Sequence, residues 1–428
     1  MRMCVKVASG VLVVLAFALT LPSAASAQVL NEVVIGAVGG DPPCGGLRGR
    51  AATFAQPFYG PNLTLLCPPN QASVGNFGAG QLSAGTIAAE TRLDLTGEQR
   101  RVYQRLKEKR EGSSAGASAD SSMGIPGLGL FVSAEYEAFD KNVTPFESGY
   151  SSDSWSGTVG VDYSFTSWAT AGIAFTYSSV SGTYAQRGGD FDTESVGGLL
   201  YATFFPIPRL FVDVVGGYAR KNYTTDRAIS FTNTFNVGDI LTSNGIASGE
   251  TDGNEYRAGV NLGYDFNFDR ATFGPRLGVN YRYTTIDSFA EEGKRAVICN
   301  PTCRSTSGTG LELDYDRQDE SSLTTVAGLF VSVSFSTPFG VVVPQATFEY
   351  VHEFADNQRA IHFNFVEDLA QKKFRFQNDP PDRDYFNAGA GVVFVLPGGF
   401  SPFVNYRALL GYKDQSSHTV TAGLRFAF

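Results

Sequence analysis

From position 129 to its end the chain alternates apolar with polar or small side chains in twelve separate segments. They are 129–139, 154–166, 168–178, 193–205, 209–221, 254–269, 271–286, 321–336, 339–352, 384–396, 400–412 and 417–428. A period of two belongs to strands, which send successive side chains to opposite faces. In 256–268, Tyr256, Ala258, Val260, Leu262, Tyr264, Phe266 and Phe268 form one face, and Arg257, Gly259, Asn261, Gly263, Asp265 and Asn267 the other. The last segment places Val420, Ala422, Leu424, Phe426 and Phe428 on one parity, Thr419, Thr421, Gly423 and Arg425 on the other, and stops at an aromatic. An even number of strands, each with one apolar face, is satisfied by a sheet that closes on itself and leaves no edge. The expected fold is all-β: a twelve-stranded antiparallel transmembrane β-barrel with its apolar faces outward.

The connections support this. Joins after the even-numbered segments are tight, near Ser167, Pro206-Ile207-Pro208, Asp269-Arg270, Thr337-Pro338 and Pro397-Gly398-Gly399. Joins after the odd-numbered segments are long, at 140–153, 179–192, 222–253, 287–320 and 353–383, until the short last hairpin at 413–416. Short turns at one end and long loops at the other are the pattern of outer-membrane barrels, with the long loops at the cell surface. Aromatics sort by end. Tyr177, Tyr218, Tyr256, Tyr283, Tyr350 and Tyr412 fall near the long loops, and Phe165, Phe204, Phe268, Phe335, Phe394 and Phe426 near the short turns, as two interfacial girdles.

The start of the chain sets the compartment. Arg2 and Lys6, an apolar run at 11–21 and Ala25-Ser26-Ala27 before Gln28 read as a signal peptide over 1–27. Without Arg2 and Lys6 the formal charge moves from −9 to −11, which argues against nucleic acid as a partner. Four cysteines remain, read as two disulfides, Cys44–Cys67 and Cys299–Cys303. Residues 28–95 are turn-rich and show little period. At 96–111 Thr96 and Gln99 make a capping-box pattern for a helix that carries Arg100, Arg101, Arg105, Lys107, Lys109 and Arg110. A Gly/Ser/Ala linker follows to 122, and the barrel domain takes 123–428.

Residues 129–428, about 70 % of the chain by strand-and-turn pattern, resemble the translocator β-domain of bacterial autotransporters. The resemblance is carried by Gly160-Val-Asp-Tyr-Ser-Phe165, Gly263-Tyr-Asp-Phe266, Val351-His-Glu-Phe354, Asp382-Arg-Asp-Tyr-Phe386, Ala408-Leu-Leu-Gly411 and Thr421-Ala-Gly-Leu-Arg-Phe-Ala-Phe428. It implies that the 96–111 helix threads the lumen and that 28–95 is a short passenger, translocated or anchored and displayed at the cell surface. It also implies that the strand ending at Phe428 is read by the barrel assembly machinery. Glu135, Glu137, Asp162, Asp265 and Glu349 fall on the lumen parity, where they suit a basic helix. Arg257, Arg282, Arg407 and Arg425 share that lumen. No Asn-Asn occurs in 96–111, the dipeptide at which some family members cut themselves, so self-cleavage is not expected.

Little else carries chemistry. His352 and His418, near the long-loop rim, invite a general-base reading, but the blander account is polar groups at a wet barrel edge. The run Asp379-Pro-Pro-Asp-Arg-Asp384 suggests calcium. A solvated acidic loop is favoured, since no Gly and terminal Glu complete the pattern. No nucleophile elbow, His-Glu-x-x-His or phosphate loop is present. We therefore expect no catalytic, cofactor or metal site. The rival reading is a stand-alone outer-membrane barrel acting as a porin or surface adhesin, with unknown ligands for its long loops and outer-membrane lipid around its wall.

Overall fold

The computed structural model describes residues 102, 103, 106, 127–144, 146–236, 239–300 and 302–427. The signal peptide, the 28–95 segment with Cys44 and Cys67, most of the 96–111 helix, the linker and Phe428 lie outside the described residues.

Twelve antiparallel strands close into a barrel. They are β1 (Leu128–Lys141), β2 (Tyr150–Thr166), β3 (Ala169–Tyr184), β4 (Gly189–Ile207), β5 (Leu210–Asn236), β6 (Asp239–Tyr264), β7 (Ala271–Ile286), β8 (Gln318–Val333), β9 (Gly340–Glu353), β10 (Asp384–Val395), β11 (Phe400–Leu410) and β12 (Gln415–Ala427). Each pairs with its chain neighbour, and β1 pairs on its other side with β12, Val132 facing both Val159 and Leu424. Short continuations, Phe266–Phe268 and Phe335–Thr337, follow single-residue breaks at Asp265 and Ser334.

Parity decides which side chains face in. Along β1 the residues Phe131, Ser133, Glu135, Phe139 and Lys141 are buried, while Leu130 and Val132 between them are exposed. Outward apolar groups stay open all round: Leu200 at 67 %, Phe165 at 64 % and Leu277 at 61 %. Such a surface suits hydrocarbon, because the closed ladder already satisfies every strand amide. Inside, small residues make room for rings. A Cβ at Gly182 would lie 2.1 Å from the Phe191 ring. At the short-turn end the Leu396 amide donates to the Phe400 carbonyl at 2.9 Å, and in the three-residue loop between them Gly398 and Gly399 have φ of 81° and 82°, a conformation that favours glycine.

The joins correct the expected segment limits. Strands run on into all three of the first long stretches: 140–141 and 150–153 within 140–153, 179–184 and 189–192 within 179–192, and 222–236 and 239–253 within 222–253. Ladder pairing continues there between polar residues such as Asp153, Ser181 and Asp192, whose alternation carries no apolar signal. The wall is therefore tallest at β5–β6. The girdles hold with one change. Tyr177, Tyr218, Tyr256 and Tyr350 are exposed outward, but the Tyr412 ring lies 5.1 Å from that of inward-facing Tyr385.

The remaining long joins fold together. Leu313–Tyr315 pairs with both Phe289–Ala290 and Ala360–Phe365, and the latter with Phe374–Gln377, giving a second, four-stranded sheet. Its core is apolar: Leu313, Phe363 and Phe365 are fully buried, with Ile361 and Phe376 beside them. The hairpin Glu292–Asn300 and Thr302–Thr306 extends the tall edge of β6 and is closed by the Cys299–Cys303 disulfide, as expected.

Candidate functional site: the barrel lumen and its mouth

Val102, Tyr103 and Leu106 have helical backbone. Val102 and Leu106 have no exposed surface. They share one cluster with Phe131, Ala174, Leu199, Tyr201 and Val215, inward-facing residues of β1, β3, β4 and β5. Spacing of four residues puts Val102 and Leu106 on one side of a helix. Tyr103 is packed against the same cluster.

The inward carboxylates find hydrogen-bond donors in the wall. Glu135 accepts from Thr421 Oγ1 at 2.8 Å, Asp213 from Thr203 Oγ1 at 2.6 Å, and Asp162 from Tyr201 at 3.4 Å. Asp265 lies 3.7 Å from Arg276. Glu137 accepts from Ser417, and Glu349 lines the cavity described below. Arg257, Arg282 and Arg425 are buried inward, and Arg407 lines that cavity.

Higher up, a charge network gathers around Glu255, which is fully buried. Lys221 Nζ approaches it at 2.9 Å and Arg282 at 3.8 Å. Arg257 also contacts it, and Thr284 donates at 3.3 Å. Arg282 also reaches Glu320 at 3.4 Å, as does Arg359 from the 353–383 loop. Four cations thus surround two carboxylates. A buried arrangement of this kind fixes geometry more than it adds stability.

The loops above are held by further buried charge. Arg227, on the β5 extension, donates to Glu291 at 2.8 and 2.5 Å and to the Leu311 carbonyl at 2.8 Å. Burial works against its charge, but Glu291 prevails and raises its pKa further above the ordinary value. Tyr315 nearby is pushed up by burial and then by the Glu291 charge. On the far side of the mouth Asp379 meets Lys141 at 3.0 Å and Thr144 Oγ1 at 2.7 Å, while Glu147 accepts from the Asp379 amide at 2.8 Å. This joins the 353–383 loop to the β1–β2 turn past the short β11–β12 hairpin.

The other sequence candidates do not converge. His352 faces outward, 2.7 Å from Asp384, and His418 faces outward, 2.7 Å from Tyr406. His362 lies on the outer face of the small sheet. Asp379, Asp382 and Asp384 go to separate partners, Lys141, the Lys413 amide and His352. No group of three metal-ligating side chains occurs among the described residues. Two things escaped sequence reasoning. The alternation in 360–365 and 374–377 was a usable sign of the small sheet. For the Glu255 network, only the shared lumen parity of Lys221, Glu255, Arg257 and Arg282 was visible.

Residues 130–407 match the family model described as Autotransporter beta-domain. No curated protein matches the chain. Among solved structures, the translocator domain of the autotransporter NalP from Neisseria meningitidis is 15 % identical, with a TM-score of 0.52 over 77 % of this chain and 98 % of that one. The beta domain of the Bordetella autotransporter BrkA is 14 % identical, with a TM-score of 0.47 over 71 % of this chain and 100 % of that one. At these identities the likeness concerns the fold.

Proposed function

We propose that this chain, which belongs to the autotransporter beta-domain family, uses its outer-membrane barrel to carry the 28–95 segment to the cell surface and to keep it there. The 96–111 helix and the linker to 122 remain in the lumen as its tether. The observation that carries this reading is the burial of Val102 and Leu106 against inward-facing residues of β1, β3, β4 and β5. Burying two such side chains contributes roughly 1.5–3 kcal/mol each. The same wall offers Glu135, Asp162 and Asp213 to a helix whose other positions are rich in Arg and Lys.

In this reading the outward apolar face meets lipid, the long loops point away from the cell and the short turns face the periplasm. The strand ending at Phe428 is the assembly signal by family resemblance. The barrel performs no catalysis: it supplies a walled, edge-free passage, and its folding into lipid is the driving step. A second reading, a stand-alone surface adhesin, draws support from the loop-built sheet with its own apolar core.

An epitope tag placed just after Gln28 tests the proposal. Labelling of intact cells, removed by external protease, is expected. A tag that becomes accessible only once the outer membrane is broken overturns the proposal and leaves the adhesin reading. Tag in the medium instead shows release after export.

A further inference from the structure

The loop-built sheet is tied to inward-facing residues spread round the ring. Its edge strand Phe289–Ala290 lies on the tall wall. The Asp287 carbonyl accepts from Thr251 Oγ1 of β6 at 2.9 Å, and a Cβ at Gly249 would lie 2.6 Å from the Phe289 ring. Arg227 of β5 holds Glu291 next to it. Arg359, just before Ala360–Phe365, reaches Glu320 of β8 at 3.4 Å. Beyond the other edge strand, Phe374–Gln377, Asp379 meets Lys141 of β1 at 3.0 Å, and the Asp382 amide donates to the hydroxyl of Tyr412 in the β11–β12 hairpin at 3.2 Å. The sheet therefore lies across the mouth from β5–β8 to β1, with its trailing loop passing β11–β12. None of these ties falls on β2, β3 or β4. The rim is also low there, since Gly189 at the start of β4 pairs with Arg227, while β5 runs on to Asn236.

The described helix residues lean toward that flank. Val102 and Leu106 pack on β1, β3, β4 and β5, and a cavity of about 190 Å³ lies on the other side, between Tyr103 and β6–β12 residues such as Glu349 and Arg407. Above the helix seat, at the long-loop ends of β1–β4, Phe139, Tyr150, Tyr184 and Phe191 face inward as one ring cluster. The Tyr184 and Phe191 centroids are 4.8 Å apart, and those of Tyr150 and Phe191 5.4 Å. All four are 2–4 % exposed, and Val180 is the one further apolar side chain among the described residues packed on them. So dry a cluster on the inner rim of a mouth marks a seat for chain lying over it.

We propose that the chain leaves the barrel over the β2–β4 rim, with its own Leu93 and Leu95 seated on this ring cluster. Length names the segment. Val102 packs at the level of Leu199, and Phe191 lies eight residues further along β4. That is roughly 26 Å of strand, or about 20 Å of height once the strand tilt is taken out. A helix rises about 9 Å from Val102 back to Thr96, and the remaining ~11 Å takes three or four extended residues. Those are the residues just before Thr96, in which Leu93 and Leu95 are the two large apolar side chains between Ile87 and Val102. Their shared parity turns both to one side of an extended chain. The route deepens the export reading of 28–95 and rests on it.

The test puts photo-reactive benzoylphenylalanine in place of Leu95 in the full-length, Gln28-tagged protein and activates it on intact cells. Mass spectrometry is expected to place the adducts on the rim of β1–β4, at or beside Phe139, Tyr150, Tyr184 and Phe191. Adducts on β8–β10, on the loop-built sheet or on a second copy of the chain, or no adduct at all, overturn the route; with the tag exposed on the same cells, export itself stands. An enclosed tag overturns export and this route with it, whatever the adducts. A second variant, Leu93→Ser with Leu95→Ser, leaves the barrel wall untouched. External trypsin should then cut after Arg92 severalfold faster, read as the barrel fragment that begins at residue 93. An unchanged rate also overturns the proposal.

Discussion

Replacing Glu291 by Ala isolates what holds the loop-built sheet to the barrel. Glu291 is 3 % exposed. Its carboxylate accepts both guanidinium bonds from Arg227 and a third from the Leu313 amide at 2.8 Å. The substitution leaves Arg227, 1 % exposed, as a buried cation with one remaining bond, to the Leu311 carbonyl, and strands the Leu313 N–H. Breaking one partner of a buried pair costs about 3–5 kcal/mol. The loss falls on local opening of the loops, since the twelve-strand ladder does not run through Glu291. Opening therefore becomes roughly two to three and a half powers of ten more frequent. Lys294, Arg295, Arg304 and Lys372 are exposed basic residues within those loops, so limited trypsin digestion of the folded protein reads the change. Cleavage in 287–320 and 353–383 accelerates by that factor when reclosing outpaces cutting, while the barrel fragments persist. The double variant Arg227→Met, Glu291→Leu removes both charges and recovers most of the loss. A Glu291→Ala protein as resistant as the parent, or a double variant as sensitive as the single one, would refute the assignment of this pair as the tie.

Val102→Ala with Leu106→Ala removes two fully buried side chains and is expected to cost about 2–5 kcal/mol for the leucine alone, read as faster proteolysis at Arg105. Gly182→Val forces a side chain into the Phe191 ring and lowers barrel stability by about 1–3 kcal/mol in thermal unfolding. Replacing Cys299 and Cys303 by Ser opens a very small loop. The chain-entropy model gives about 2 kcal/mol, confined to the hairpin, so faster hydrogen exchange should appear at 292–306 and not in β7 or β8. Lys141→Met leaves Glu147 and Asp379 facing each other without their cation, and exchange should quicken around Asp379 while the β1–β12 ladder stays protected.

The barrel was legible because its signal repeats and its period is short. All twelve expected segments became strands, and the lumen parity placed Glu135, Asp162, Arg257 and Arg282 inward. The upper limits were missed where ladders continue through polar pairs such as Ser181 and Asp192, since pairing there does not depend on burying apolar surface. The loop sheet was missed because its strands are three to six residues long at its centre and join chain segments far apart, such as Tyr315 with Phe363. The helix was read from its Thr96/Gln99 capping box and its charge. Val102 and Leu106, four residues apart, were the apolar stripe available in the same stretch.

The seam between β1 and β12 differs in kind from the other ladders of the barrel. Gly129 pairs with Ala427 and Lys141 with Gln415, so the first and last strands share one boundary, while the other barrel strands join their neighbours in the chain. A contact between such distant segments carries the largest loop-closure entropy in the molecule, so it forms late. Until then β1 and β12 each present an open row of amides and carbonyls, the kind of edge that recruits foreign strands. The final dozen residues thus act as a latecomer on which the sealed state waits. Weakening them, for instance at Leu424 or Val420, should lengthen the life of an aggregation-prone open sheet even where the finished barrel tolerates the change.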